Sequence, residues 1–213
     1  MQAILIPVKN LERVKSRQAG CLSPTQRIRL VWAMLKDVAR QLEELRDDAQ
    51  IVLVTPDREV AAFGIDRGWD VLLEGEGKSE SASVDRASKV LQNQGIRRVL
   101  RIPADIPLVR AEDLRGLLSL EISGQGGVAV PSRDGRGTNA LLRTPPSAFP
   151  SRFGTDSLVL HQAEAKKRGA ELQIFENQHI SLDLDTESDL ETFLQEGDQA
   201  LDAYRLIVSW RRA

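Results

Sequence analysis

Three aspartates carry the chemistry for which this chain can be read. Asp105 lies in the apolar run Val99–Leu108 (VLRIPADIPL), between Pro103 and Pro107, and Asp183 and Asp185 end the segment Ile180–Asp185 (ISLDLD). A short apolar run bounded by proline reads as a buried strand, and the carboxyl end of a strand in an α/β sheet opens into the crevice where ligands bind. A carboxylate there, with no cation directly beside it in sequence, suits a hard divalent metal. It suits equally the cap of the next turn, a frequent role for Asp. If Ile180–Asp185 is a late strand, positions i and i+2 face the same way. Asp183 and Asp185 then meet one cation, unless Asp185 only joins the cap formed by Thr186 and Asp189.

Groups that would hold an anionic substrate are spread along the chain. Lys9, Arg13, Lys15 and Arg17 crowd into the segment after the first apolar run. They can neutralise a polyphosphate or form a solvated basic loop. In GEGKSESASVDRAS, Ser81, Ser83 and Asp85 fall near the start of a helix whose backbone N–H groups can face a nucleotide. The segment is neither a P-loop nor a dinucleotide-binding fingerprint, and a surface loop before a capped helix is the alternative. Thr138 and Asn139 follow a turn at Asp134–Gly137 and offer a hydroxyl and an amide, with Arg133, Arg136 and Arg143 nearby; a plain hairpin also accounts for them. Phe153-Gly154-Thr155-Asp156-Ser157 leads into another helix whose N-terminus can bind an anion. His161, on that helix, reads as a structural histidine, and His179 more so.

The elements that must position these groups alternate. Gln2–Val8, Gln50–Thr55, Trp69–Leu73 and the run around Val99 read as buried strands. Between them lie a helix starting at Ser23-Pro24 with a capping box to Gln26, a short helix after Asp57, and a helix to about Gln94. A further helix spans about Ala111–Leu120. Val128–Pro131 and Thr138–Leu142 read as strands, and Asp198–Trp210 as a final helix. This rhythm predicts a single α/β domain over residues 1–213 with a mainly parallel, Rossmann-like sheet.

Composition excludes several classes. A formal net charge of −2, with 41% hydrophobic and 28% charged residues among 213, suggests neither a nucleic-acid nor a membrane surface. The N-terminus reads as a strand rather than a signal peptide. The single cysteine, Cys21, excludes an intramolecular disulfide and a cysteine zinc cluster. A cytoplasmic protein is expected; a homodimer is compatible with the chain but not required by it.

Carboxylates and cations without an activated nucleophile suit metal-assisted phosphoryl or nucleotidyl transfer, in which the protein positions groups and neutralises charge. Five segments, PVKNLERVKSR–LSPTQR, RIPADIPL, GRGTNALLRTPP, RFGTDS and LDLDTESDL, together resemble the 2-phospho-L-lactate guanylyltransferase family of coenzyme F420 biosynthesis, with its phosphoenolpyruvate guanylyltransferase branch. The resemblance covers nearly the whole chain. It implies the nucleotidyltransferase (glycosyltransferase type A-like) fold and transfer of GMP from GTP to a three-carbon phosphorylated acid. It also implies magnesium on Asp105, Asp183 and Asp185, the acid on Thr138, Gly154 and Ser157, and the triphosphate on Lys9, Lys15 and Arg17. Ser83 and Asp85 fall where other members carry a G-x-N-A-A-like nucleotide stretch, from which SESASVDRA departs. On this reading Asp105 and Lys15 are catalytic. The rival readings are a nucleotidyltransferase of the same fold acting on a sugar phosphate or molybdopterin-type cofactor, and a catalytically inactive nucleotide-binding module.

Overall fold

Continuous β-branched and leucine-rich runs demand cover on both faces, and helices with one apolar stripe supply it. The computed structural model describes residues 1–11 and 22–211. Its elements in chain order are β1 (Gln2–Pro7), α1 (Pro24–Glu43), β2 (Gln50–Thr55), α2 (Arg58–Ile65), β3 (Asp70–Leu73), α3 (Glu80–Asn93), β4 (Arg98–Arg101) and α4 (Ala111–Ser119). They continue with β5 (Gly126–Pro131), β6 (Thr138–Thr144), α5 (Ser157–Lys167), β7 (Glu171–Ile174), α6 (Gln178–Ser181), α7 (Glu187–Glu196) and α8 (Asp202–Arg211).

The strands form one sheet in the order β3-β2-β1-β4-β6-β5-β7. β3, β2, β1 and β4 are parallel, β6 runs antiparallel to both β4 and β5, and β7 is parallel to β5. The chain winds outward from β1 to β3 and then crosses back to β4 on the other side of β1. That switch point opens a crevice at the carboxyl ends of β1 and β4.

β1 is the axis of the core, with Ala3–Ile6 wholly buried. Ile4 and Ile6 face a layer containing Leu35, Val38 and Leu42 of α1 and Leu114 and Leu117 of α4. Ala3 and Leu5 face Val84, Ala87 and Leu91 of α3. The start of α1 matches its sequence signature: Ser23 and Gln26 form a reciprocal capping box and Pro24 opens the first turn. A third cluster joins α1 to the C-terminal helices through Leu30, Met34, Leu182, Leu184, Phe193 and Ile207. There the buried carboxylate of Asp37 accepts the N–H groups of Asp202 and Ala203 at 2.8 and 2.9 Å, tying α8 to α1.

The structure departs from the sequence pattern in three places. β4 ends at Arg101, so Asp105 lies in the following loop and not on the strand; Pro103 has no N–H with which to extend the ladder. Ile180–Asp185 is not a strand. Asn177 caps the short helix α6 by accepting the N–H of Ile180 at 2.9 Å. The carbonyls of Ile180 and Ser181 are then taken by the Asn139 amide rather than by a neighbouring strand. β7 has no clear counterpart in the sequence pattern because three of its four residues are exposed or nearly so on an edge. The two C-terminal helices do lie where the pattern puts them: Thr186 and Asp189 cap α7, and α8 follows as the final helix. No helix among the described residues is long and apolar enough to cross a membrane.

Candidate active site

A cleft of about 670 Å³ opens at the switch point, lined by Asp105, Thr138, Asn139, Gly154, Ser157, Asp183 and Asp185 among others. Asp105 and Leu184 meet there directly: the Leu184 N–H donates to the Asp105 carbonyl at 3.1 Å. This backbone bond sets the segment bearing Asp183 and Asp185 against the loop bearing Asp105. The alternation read as a strand survives without a ladder, because Leu182 and Leu184 are buried in the third cluster while Asp183 and Asp185 turn into the cleft.

Three carboxylates, Asp105, Asp183 and Asp185, line one wall of the cleft. Asp105 Oδ1 is buried and has no hydrogen-bond partner. Burial pushes its carboxyl up to about 7; the charges of Asp183 and Asp185 add to the rise and Arg101 opposes it. Burial also raises Asp183, against a 3.1 Å hydrogen bond that its Oδ1 accepts from the Asn139 amide. The Asp185 N–H donates to Asp189 in the capping box that starts α7. No group of three His, Cys, Asp or Glu side chains among the described residues converges into a closed metal cage. The donor set nevertheless fits magnesium, which takes one or two carboxylates and completes its shell with water and phosphate oxygens. The buried Oδ1 of Asp105 caps no turn and leaves an oxygen with which a cation could be met.

The opposite wall is built of neutral groups. Thr138 starts β6, and its Oγ1 sits 3.0 Å from His161 Nδ1 and accepts a 3.1 Å hydrogen bond from Ser157 Oγ. His161 Nε2 accepts the Arg152 N–H at 2.8 Å. His161 is wholly buried, with Phe153 packed edge-on against its ring. Burial, reinforced by the cations Arg143 and Arg101, pushes its imidazole down to about 3, so it is neutral. Gly154 adopts φ of +125° with open space where a side chain would stand; its need for glycine is conformational. The first turn of α5 has no side-chain cap; its Leu158 N–H donates to the Arg136 carbonyl at 3.0 Å.

The remaining predicted residues divide. Lys9 lies on the rim between this cleft and a neighbouring one that includes Ser83. Ser83 is buried there and donates to Glu74. Asp85 is placed elsewhere: it accepts from Arg143 at 2.9 Å and from the Ser151 N–H and hydroxyl, on the side of α3 that supports the 149–153 loop. An Asp two residues after Ser83 turns about 200° around the helix, away from the cleft. Lys15 and Arg17, with Arg13, lie outside the described residues. Arg101 is a site residue that the motifs missed. It pairs with Glu80, donates to the carbonyls of Thr138 and Asn139, and stacks on Phe153 with 4.1 Å between guanidinium and ring centroid. A lone cation inside the apolar run VLRIP was the available signal.

A sheet wound about a β1/β4 switch, with carboxylates on one side of the crevice and anion-binding donors on the other, defines a nucleotidyltransferase-fold protein. Solved structures agree on the fold. A Desulfovibrio desulfuricans protein described as a nucleotide-diphospho-sugar transferase aligns over 99% of this chain and 95% of its own, with a TM-score of 0.78 and 18% identity. A 4-diphosphocytidyl-2C-methyl-D-erythritol synthase aligns over 90% and 96%, with a TM-score of 0.60 and 14% identity. The chain belongs to the family described as "Guanylyl transferase CofC like", whose model matches residues 2–207. It is 34% identical over 188 residues to the phosphoenolpyruvate guanylyltransferase of Sphaerobacter thermophilus, covering 88% of this chain and 89% of that one. It is 30% identical over 194 residues to the 2-phospho-L-lactate guanylyltransferase of Methanothermobacter thermautotrophicus, covering 91% and 84%.

Proposed function

We propose that the chain transfers GMP from GTP to a three-carbon phosphorylated acid, phosphoenolpyruvate or 2-phospho-L-lactate, with release of pyrophosphate, in coenzyme F420 biosynthesis. The observation that carries this is the junction of Leu184 with Asp105, which brings three carboxylates to one side of the cleft that Thr138, Gly154 and Ser157 line on the other. Family membership supports the nucleotide, and the names of the two relatives support the acid.

The acid's phosphate is already an anion near neutral pH, so one of its oxygens forms the new bond to the α-phosphorus of GTP without a general base. The bond from that phosphorus to the bridging oxygen breaks, and its electron pair leaves with pyrophosphate. Magnesium, held by Asp105, Asp183 and Asp185, would supply neutralisation of phosphate charge at this centre. Thr138, Gly154 and Ser157 hold the acid's negative groups. Lys9 on the rim, with Lys15 and Arg17 of the same basic segment, meets the triphosphate. Asn139 keeps Asp183 in position by donating to it and to the carbonyls just before it.

The test is pyrophosphate release with GTP and magnesium against phosphoenolpyruvate, 2-phospho-L-lactate and a phosphoglycerate in parallel. Release with at least one acid, and far less with ATP or CTP, is expected. Release only with a sugar phosphate, or GTP binding without release for any acceptor, overturns the reading.

A further inference from the structure

The hydroxyl wall of the cleft has a fixed hydrogen-bond direction, and a residue that does not line the cleft sets it. The Arg152 N–H can only donate, so His161 Nε2, 2.8 Å away, must accept with its lone pair. A neutral imidazole then carries its proton on Nδ1. Nδ1 therefore donates to Thr138 Oγ1 across the 3.0 Å contact. Thr138 and Ser157 share one further hydrogen bond, with Ser157 donating. Of the two hydroxyl protons, one lies between the two side chains and the other has no use inside the wall. With the opposite imidazole tautomer, Thr138 would donate to His161 and Ser157 to Thr138. Both protons would be consumed, and only oxygen lone pairs would face an anionic ligand.

We propose that His161 is a positioning residue: by donating from Nδ1 to Thr138, it leaves the Thr138–Ser157 pair with one free O–H donor for a negatively charged oxygen of the three-carbon acid. This rests on the reading that Thr138 and Ser157 hold that acid. The device needs no titration, since the buried ring stays neutral through the working range. It also explains why a histidine that lines no part of the cleft is buried at a polar position of α5. The Arg152 donor is itself held in place, because its neighbours Ser151 and Phe153 are bonded to Asp85 and Ser81 of α3.

Two measurements test it. The first needs no substrate: long-range nitrogen–proton spectra of the uniformly labelled protein at pH 7, where the chain holds only two histidines. His161, assigned by its loss in His161→Asn, should show a protonated Nδ1 and an unprotonated Nε2. The Nε2-protonated form or an imidazolium overturns the proposal. The second is a double-mutant cycle on the phosphoenolpyruvate reaction. His161→Leu should raise KM for the acid about tenfold, as loss of a hydrogen bond to a charged group does, with KM for GTP unchanged. His161→Asn, whose amide can replace the Nδ1 donor, should recover much of that loss. In a Thr138→Val background the His161→Leu effect on KM should vanish; an equal effect in both backgrounds, or an equal rise in KM for GTP, overturns the proposal. If no acid supports turnover in the wild-type protein, the proposed function fails, while the tautomer spectrum still decides the direction of the hydrogen bonds.

Discussion

The two walls of the cleft have opposite hydrogen-bond accounts. On the carboxylate wall, Asp105 keeps a buried oxygen without a partner and a carboxyl that holds its proton up to about pH 7. On the hydroxyl wall, Thr138, Ser157, His161 and the Arg152 N–H form a continuous sequence of partners. The first wall gathers negative charge around a buried oxygen that no hydrogen bond satisfies. The second is held in one arrangement by its own hydrogen bonds. The difference teaches where ligand-linked stabilisation must reside: cation binding should change the stability of the carboxylate wall, and substitution should damage the geometry of the hydroxyl wall.

The sharpest way to break this comparison is Asp105→Asn. Removal of the carboxylate should lower kcat/KM for pyrophosphate release by roughly 10²–10³-fold, with circular dichroism unchanged; near-native turnover would remove Asp105 from the chemistry. Next is Asp85→Ala, which strips the partner from the buried Arg143 beneath the hydroxyl wall. It should cost about 3 kcal/mol of unfolding free energy in urea and leave KM for GTP unchanged. A selective rise in that KM would return Asp85 to the nucleotide site.

The carboxylate wall also predicts a pH effect of definite sign. The folded-state pKa of Asp105 lies above its unfolded value of 3.8. Its stabilising contribution is thus present below about pH 4 and is lost as pH rises through about 7. Without divalent cations at pH 8, Asp105→Asn should therefore have a larger unfolding free energy than the wild-type protein, by an amount on the order of a few kcal/mol, and the gap should narrow on acidification. Magnesium should raise the wild-type melting temperature and not that of the variant. An unchanged ranking at pH 5 and 8 would show that the Asp105 environment has been misread. Asn139→Ala should cost roughly 1–3 kcal/mol, since it leaves the carbonyls of Ile180 and Ser181 and the Asp183 carboxylate without their shared donor. A comparable cost is expected from Gly154→Ala. Its φ of +125° imposes backbone strain of about 1–3 kcal/mol, read as a raised KM for the acid with kcat little changed.

The sequence was informative where local chemistry decides structure. The Ser23–Gln26 capping box, the buried runs of β1 and β2 and the apolar stripe of α1 are set by their own residues, and each element lies where its pattern puts it. Asp105, Asp183 and Asp185 were recognisable as a set, and they share the cleft. What was hidden depends on partners distant in the chain. Nothing in ISLDLD reveals that Asn139 takes the carbonyls a neighbouring strand would need. Nothing in SESASVDRA reveals that Asp85 answers an arginine 58 positions later. His161 looked structural because its significance lies in which of its nitrogens meets the Arg152 N–H, and residue spacing carries no record of proton location.

The bond from Leu184 to the Asp105 carbonyl has a consequence for how a newly made molecule matures. All seven strands among the described residues precede residue 175, so the ribosome delivers them before it delivers Asp183 and Asp185. A nascent chain halted there holds every described strand but lacks the acidic side of its crevice, which is completed only when the final stretch of polypeptide folds back and locks onto the loop beyond β4.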